Sequence, residues 1–220
     1  MFGRRTVALA GAEFFGAGLL TLVTLAVSKS NVGFPLFVAG AVGLALSMFV
    51  LSVGAVSGGF ANPAVTLGLW MLRKISAARA VVYVLAQLLG GLAAGLLFTY
   101  MSEQPLSAIA GNLDGRVVLA EVVGTFIFTF GLAAAVYHRY VGAHLAAVAG
   151  GSLFLGIVVA SVVSNGALNP AVALGIQSGS VTYITGPVIG AALGMGLYAL
   201  LFAPVESQRR VKKVHKNQKK

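Results

Sequence analysis

Two copies of the tripeptide Asn-Pro-Ala are the part of this sequence whose residue types and spacing most directly indicate a function. They are Asn62-Pro63-Ala64 and Asn169-Pro170-Ala171. Asparagine is a strong helix N-cap and proline suits the first helical turn, so each tripeptide predicts the start of a helix. Each Asn amide can cap its helix through its oxygen and still present an N–H donor to a neutral molecule. The sequence shows no nucleophile–base pair and no phosphate-binding loop, so an enzyme is not expected.

The tripeptides belong to a longer internal repeat. The seven residues from Asn62 to Gly68 recur from Asn169 to Gly175 with six identities. Upstream, Ala12-Glu13 with Gly16 recurs as Ala120-Glu121 with Gly124, at nearly the same spacing. One isolated Asn-Pro would predict only an ordinary helix start. Two copies at matched positions indicate a shared function for two half-repeats, about 1–108 and 109–204.

Glu13 and Glu121 are the two carboxylates of the repeat, and each is surrounded by apolar residues. Ionisable groups inside a membrane span are costly, so they are usually paired or functional. One interpretation is a proton relay, as in a coupled transporter. The other is a buried structural carboxylate that accepts backbone N–H bonds from a re-entrant loop, whose polar groups must be satisfied inside the protein. The symmetric placement, one carboxylate for each loop, favours the structural role.

The composition indicates that these residues are positioned by membrane-spanning helices. The 220 residues are 58% hydrophobic and only 9% charged, and the mean hydropathy is +0.95. Soluble domains carry about 25% charged residues. Six long apolar segments predict six spans, at about 6–28, 33–56, 77–100, 116–137, 143–164 and 181–204. The expected fold is therefore all-α and forms one domain.

Two shorter apolar stretches, 62–72 and 169–177, follow the asparagines. About ten helical residues cover about 15 Å, half of a hydrocarbon core of about 30 Å. We therefore expect two re-entrant half-helices that meet at mid-membrane. Three spans in each half reverse the second half, so the repeat is inverted. Two positive helix ends then face one point, which disfavours cations there.

The positive charge is distributed as in a multi-pass membrane protein. The net charge is +10, and seven of the fifteen Lys and Arg residues lie in the tail 205–220. With both termini in the cytoplasm, only Lys29 and Arg116 fall outside, as the positive-inside rule requires. The tail is then a basic cytoplasmic tail near anionic membrane lipids, and no nucleic-acid partner is expected. The chain contains no cysteine, and we expect no metal and no cofactor.

Longer segments around these residues resemble the major intrinsic protein family, the aquaporins and glycerol facilitators. The similar segments are Ala12–Gly16, Ser57–Gly68, Tyr83 with Ala86-Gln87 and Gly90, and Tyr183 with Gly186-Pro187 and Gly190-Ala191. The resemblance implies an aquaporin-like fold in the cell membrane. It also implies a homotetramer with one pore per subunit, which conducts water, glycerol or other small uncharged solutes passively.

Two positions depart from the family pattern. Family members usually carry His two residues before the first motif's Asn, where this chain has Phe60, and Arg after the second Asn-Pro-Ala, where it has Val172. The resemblance places the rest of the outer selectivity constriction at Val42, Ile157 and Gly166. This filter has no charge and no side-chain donor. Removal of Arg favours larger or more apolar solutes, whereas an aliphatic ring can also gate by dewetting.

The leading hypothesis is thus a passive channel for water, glycerol-like solutes, urea or ammonia. The alternative is an ion-coupled secondary carrier, since inverted repeats and broken helices also form carriers. In a carrier, Glu13 and Glu121 would be coupling sites. A third possibility is a membrane protein with an adhesive or junctional role that conducts nothing.

Overall fold

The computed structural model describes residues 3–30, 35–106 and 114–203. All eight regular elements in these ranges are α-helices, as the composition predicts. They are α1 (Arg4–Lys29), α2 (Pro35–Ser57), α3 (Pro63–Met71), α4 (Ala77–Ser102), α5 (Gly115–Tyr137), α6 (Gly142–Ala160), α7 (Pro170–Gly175) and α8 (Val181–Leu201). The predicted boundary between the half-repeats, at about 108, and the predicted basic tail 205–220 lie outside the described residues.

Six of the helices are long and apolar enough to cross a membrane, and they coincide with the six predicted spans. Most of their limits agree with the prediction to within two residues. The ends of the last two spans are the exceptions. The sixth ends at Leu201 and not at 204, and the fifth ends at Ala160, where residues 161–164 form a turn. The hydroxyl of Ser164 donates to the carboxylate of Glu121. The chain must therefore leave the helix early to bring this serine inward.

The two remaining helices, α3 and α7, have nine and six residues. At 1.5 Å per residue neither can cross a hydrocarbon core of about 30 Å. Both begin directly after an asparagine, as predicted. The second ends at Gly175, earlier than the predicted 177, because Gln177 adopts a left-handed conformation with φ 59°. These are the two half-helices of the fold.

The two halves of the chain repeat one packing pattern and interlock. Within each half, the first long helix packs against the second and the last, which pairs α1 with α2 and α4, and α5 with α6 and α8. Each short helix packs against the last long helix of the other half, α3 on α8 and α7 on α4. A Cβ atom at Gly91 of α4 would collide with the carbonyl oxygen of Ala171. Glycine is thus required where α7 crosses α4.

One lysine at each end of the bundle makes a contact that relates neighbouring elements. At one end, the Lys74 ammonium lies 3.9 Å from the ring centroid of Tyr137, and burial together with the charge of Arg139 lowers the pKa of Lys74. At the other end, Lys29 of α1 donates to the carbonyl of Ser102 at 3.5 Å. The C-termini of α1 and α4 therefore lie together, and these two helices run parallel.

Candidate pore

Asn62 caps the first short helix in the way that its residue type predicts. Its Oδ1 accepts hydrogen bonds from the backbone N–H groups of Ala64 at 2.8 Å and Val65 at 3.4 Å. Pro63 occupies the first helical turn, where its missing N–H costs nothing. This cap satisfies N–H groups that have no partner within the helix.

Asn169 makes the same cap on the second short helix. Its Oδ1 accepts from Ala171 at 3.0 Å and from Val172 at 3.4 Å, and Pro170 follows it in the first turn. Both asparagines are almost fully buried, at 2% and 3% exposure. The repeated tripeptide thus forms the same local structure twice.

The side-chain amides join the two helix starts to each other. Asn62 Nδ2 donates to the carbonyl oxygen of Leu168 at 2.8 Å. Asn169 Nδ2 donates to the carbonyl oxygen of Ala61, also at 2.8 Å. The two motifs therefore meet, as two half-length helices must if together they cross a membrane. An amide carries two N–H groups, so one N–H of each asparagine is left for a molecule in the adjoining space.

Ala61 and Leu168, the residues before the two asparagines, are in the left-handed region, with φ of 48° and 49°. This conformation is uncommon and unfavourable for residues other than glycine. Both side chains are fully buried. The strained turn points each backbone N–H away from the opposite motif while its carbonyl faces it. Such a backbone persists only where surrounding contacts hold it.

Glu13 of α1 supplies those contacts in the first half. Its carboxylate accepts from the backbone N–H of Ala61 at 2.7 Å and of Phe60 at 3.2 Å. It also accepts from Gln87 Nε2 at 2.5 Å. Gln87 in turn is hydrogen-bonded to the Thr66 hydroxyl. This network, in which Glu13, Gln87 and Thr66 are fully buried, ties α1, α3 and α4 to the first loop.

Glu121 of α5 does the same in the second half. Its carboxylate accepts from the backbone N–H of Leu168 at 2.8 Å and of Ala167 at 3.0 Å. It also accepts from the Ser164 hydroxyl, which is itself an acceptor for the N–H of Gly166 at 2.9 Å. Each carboxylate thus faces the loop of its own half, which is the structural arrangement that the sequence favours.

The two halves differ in how the last long helix supports the loop. The hydroxyl of Tyr83 donates to the Ser57 carbonyl at 2.8 Å, and that of Tyr183 accepts from the N–H of Asn165 at 3.3 Å. One turn beyond each tyrosine, α4 has Gln87 whereas α8 has Pro187. Only the first carboxylate therefore receives an amide donor from its last long helix.

A narrow cavity runs beside the paired helix starts, and residues predicted for the filter line it. Both Asn62 and Asn169 border it, as do Val42 of α2, Ile157 of α6, and Gly166 and Val172 of the second loop and α7. Its empty volume is about 410 Å³, but the centre of a water molecule can occupy only about 20 Å³ of it. That space holds one or two waters.

The lining is amphipathic. Beyond the filter positions it is largely apolar, with Leu20, Leu46, Phe128 and Leu153 on the long helices. The polar side chains are those of Asn62, Asn169, Asn165 and Thr24, and the Thr24 hydroxyl is already bonded to the Leu20 carbonyl at 2.8 Å. Donors and acceptors thus concentrate at the loops, opposite a wall of aliphatic and aromatic side chains.

Sequence reasoning missed some of these lining residues. Leu20 and Thr24 lie on the same face of α1 as Glu13, at seven and eleven residues from it, and this helical periodicity was a usable signal. Asn165 borders the cavity beside Gly166 and donates to the Ser178 hydroxyl at 3.2 Å. Phe60, which departs from the family pattern, also lines the cavity, and its ring packs 5.7 Å from that of Tyr83.

A wider cavity adjoins the narrow one on the side where α1 ends. Its empty volume is about 870 Å³, and it shares Thr24, Val38 and Asn165 with the narrow cavity. Ser28, Ser161 and Ser164 also line it. It therefore forms a vestibule of mixed polar and apolar lining that leads to the narrow cavity.

No group of three or more His, Asp or Glu side chains is placed to hold a metal ion in the described ranges. The chemistry of the cavity is thus that of amide N–H groups, backbone carbonyls and apolar side chains. Such groups can bind and orient a small neutral molecule.

Comparisons with known proteins agree with this geometry. Residues 7–198 match the family described as "Major intrinsic protein". The chain is similar to aquaporin-4 from Homo sapiens, with 34% identity over 77% of this chain and 58% of that protein. It is also similar to aquaporin NIP1-4 from Oryza sativa subsp. japonica, with 36% identity over 86% of this chain and 71% of that protein.

The fold has a solved counterpart. The structure of an aquaglyceroporin from Plasmodium falciparum superposes with a TM-score of 0.70 and covers 91% of this chain and 96% of its own. The sequence identity is 19%, so this likeness concerns the fold alone. The chain spans less than three fifths of the length of the aquaporin-4 relatives that it matches.

Proposed function

The chain belongs to the major intrinsic protein family, and from that premise we propose that it is a passive, bidirectional membrane channel for water and small uncharged solutes. The candidate solutes are glycerol-like polyols, urea and ammonia. One observation carries the proposal, namely the narrow cavity bordered by both Asn62 and Asn169. The proposed selectivity filter consists of Val42, Ile157, Gly166 and Val172.

The electrostatics of the cavity favour neutral solutes. Two helix N-termini, at Asn62 and Asn169, converge beside it, and each carries partial positive charge. The filter side chains are aliphatic or absent, so they offer a dehydrated cation no compensating ligand. A cation therefore meets both repulsion and a dehydration cost. A neutral solute meets no charge repulsion and a much smaller dehydration cost, and it finds amide donors and carbonyl acceptors along one wall.

The filter composition sets the proposed solute preference. Val172 replaces a long cationic side chain with a short apolar one, so the constriction keeps more free width. Polyols and urea have apolar or planar faces that suit the aliphatic wall, while their polar groups can reach Asn62, Asn169 and the loop carbonyls. We therefore propose that solutes larger than water pass this filter.

The carrier alternative finds no support in the placement of the carboxylates. Glu13 and Glu121 are fully buried, and their oxygens are occupied by backbone and side-chain donors. Neither residue is among those that line the cavity. A coupling carboxylate must meet the transported ion, so these two residues are assigned the structural role.

The proposed setting is the cell membrane, with both termini in the cytoplasm. Arg4, Arg73, Lys74, Arg79 and Arg139 then lie on the cytoplasmic side, in agreement with the positive-inside rule. We also propose a homotetramer with one pore per subunit, on the basis of the family resemblance. The mass of the purified protein in detergent, measured by light scattering, tests the oligomeric state.

Stopped-flow light scattering on proteoliposomes tests the channel proposal. We expect permeation of water, glycerol, urea and ammonia above that of empty liposomes, without saturation and without dependence on an ion gradient. Ile157→Trp is the blocking variant, because Ile157 lines the cavity and is 3% exposed. Leu155→Trp is its matched control, because Leu155 lies on the same helix, points outward and is 54% exposed.

Flux that is reduced by Ile157→Trp and unchanged by Leu155→Trp supports a pore through the cavity. Flux that saturates and follows a proton or sodium gradient instead supports the carrier. No flux of any of the four solutes, with the protein folded and inserted, would contradict both and favour a non-conducting membrane protein.

A further inference from the structure

The parallel helices α1 and α4 leave a groove on the outside of the bundle, away from the pore. Nearly all of its lining is apolar. Val7, Gly11 and Phe14 form the wall from α1, and Val82, Leu85 and Leu89 form the wall from α4. The groove lies in the half of the bundle where both helices begin.

The side chains that line this groove face outward, and no other protein atom covers the groove at Gly11. Val7 is 61% exposed and Leu85 is 57% exposed. A Cβ atom at Gly11 would meet no heavy atom within 4 Å. The groove therefore owes part of its depth to the missing side chain at Gly11. In a membrane such a groove is filled by an apolar chain of another molecule.

Helical periodicity places two arginines beyond the end of the groove. Arg4 precedes Val7 by three residues, and Arg79 precedes Val82 by three residues, so helical periodicity places both on the groove face. Side chains on a helix lean toward its N-terminus. Both arginines therefore extend from the groove toward the membrane surface, where long cationic side chains place their heads in water or among headgroups.

Neither guanidinium group has an acidic partner among the residues that the structure describes. Glu13 and Glu121 are bonded to the two pore loops. Glu103 and Asp114 lie at the other end of the bundle, after α4 and before α5. A pair of cations at the mouth of an apolar groove is complementary to an anionic headgroup that carries an acyl chain.

We propose that this groove binds a phospholipid with an anionic headgroup. One acyl chain lies between α1 and α4 across Gly11, and the phosphate lies between Arg4 and Arg79. The apolar groove supplies affinity for the chain, and the two arginines supply preference for negative charge. This site is separate from the pore and does not depend on the transported solute.

Native mass spectrometry of the protein in detergent tests the site. Dioleoyl phosphatidylglycerol and dioleoyl phosphatidylcholine are titrated separately, since they share acyl chains and differ in net charge. We expect the anionic lipid to bind about thirtyfold more tightly, the size of effect expected from two basic residues near anionic headgroups at about 1 kcal/mol each. The double variant Arg4→Gln/Arg79→Gln should bring the two affinities to within about twofold.

Matched variants separate the site from general attraction of lipid to a basic protein. Arg5→Gln/Arg73→Gln removes the same charge at the same end but should keep the preference for the anionic lipid. Gly11→Leu should fill the groove and weaken binding of both lipids. Gly196→Leu on α8 is its control, because a Cβ atom there also meets nothing within 4 Å.

Several outcomes would overturn the proposal. Equal affinities for the two lipids would show that Arg4 and Arg79 do not select negative charge. Equal loss of the anionic preference in both double variants would show that this preference arises from the net charge of the protein. Full competition by soluble glycerol phosphate would mean that the acyl chain contributes nothing. Dissociation of an oligomer by Gly11→Leu, visible in the same spectra, would show that a second copy of the chain occupies the groove.

Discussion

Asn62 and Asn169 exchange hydrogen bonds across the centre of the fold. Each donates its side-chain amide, at 2.8 Å, to the carbonyl of the residue that immediately precedes the other. Each also caps its own short helix through its side-chain oxygen. The same two residues thus hold the two half-helices end to end and position the remaining N–H groups beside the cavity.

Asn62→Asp tests this exchange with almost no change in shape. The carboxylate still caps α3, but it has no donor for the Leu168 carbonyl and adds negative charge beside the cavity. Loss of one buried hydrogen bond should cost about 1 kcal/mol or more, which lowers the unfolding midpoint by about 2–4 °C. Thermal unfolding in detergent measures the midpoint. Sodium leak into proteoliposomes should rise, because the positive helix ends are partly neutralised.

Asn169→Asp is the symmetric control for that variant and should give a similar loss of stability. If the two variants left both the midpoint and the sodium leak unchanged, the paired amides would be neither a structural link nor a barrier to cations.

Val172→Arg tests the proposed filter. The longer side chain and its charge should narrow the cavity that Val172 borders, and several new donors would orient passing molecules. We expect glycerol and urea permeability to fall more than water permeability. The ratio of solute to water permeability should fall about tenfold or more if the added barrier for these solutes exceeds that for water by about 1.4 kcal/mol. Permeability of wild type and variant, side by side in liposomes, measures the ratio.

Val172→Leu separates size from charge in the same assay. Added volume alone is expected to lower glycerol and urea permeability relative to water, but by less than Val172→Arg does. Unchanged solute ratios in Val172→Arg would mean that this residue does not line the constriction, and the filter assignment would then be wrong.

Glu13→Gln tests the structural role of the first carboxylate. The amide that replaces the carboxylate has only one acceptor oxygen, so the N–H groups of Phe60 and Ala61 and the Gln87 amide can no longer all be satisfied. Leaving a buried donor without a partner costs about 1–3 kcal/mol. We expect a lower yield of folded protein with unchanged solute ratios in the fraction that folds. Fluorescence-detected size-exclusion chromatography and the liposome assay measure the two quantities.

Glu121→Gln should behave alike, since the second carboxylate also accepts from two backbone N–H groups. A Glu13→Gln protein that assembles normally but loses flux driven by a proton gradient would return the carrier hypothesis to first place.

Gly91→Ala tests the interlocking of the halves. The added methyl group would overlap the carbonyl oxygen of Ala171 in α7, and backbone atoms on both sides cannot move aside cheaply. Overpacking of this kind costs about 1–3 kcal/mol or more, so the yield of monodisperse protein should fall sharply. Gly196→Ala is the control, because its methyl group meets open space. Equal yields for the two variants would show that α7 does not pack tightly on α4.

Much of the fold is determined by local properties of the sequence. Hydropathy predicts six spans, because a residue's preference for lipid depends little on its distant neighbours. Asn62-Pro63 and Asn169-Pro170 predict the two short helices, because capping is decided within one helical turn. Three spans in each half make the repeat inverted. The filter positions, in contrast, came from the family resemblance and not from the pattern of this sequence alone.

The tertiary structure decided how these parts meet. The amide of Asn62 bonds to a carbonyl 106 residues away, and Gln87 bonds to Glu13, 74 residues away. No local pattern selects such partners, because a buried donor bonds to whichever acceptor the packed helices bring within reach. The early end of α6 and the places of Phe60 and Asn165 beside the cavity have the same origin. Side-chain direction in a loop is set by packing against distant helices, and only the folded chain contains that information.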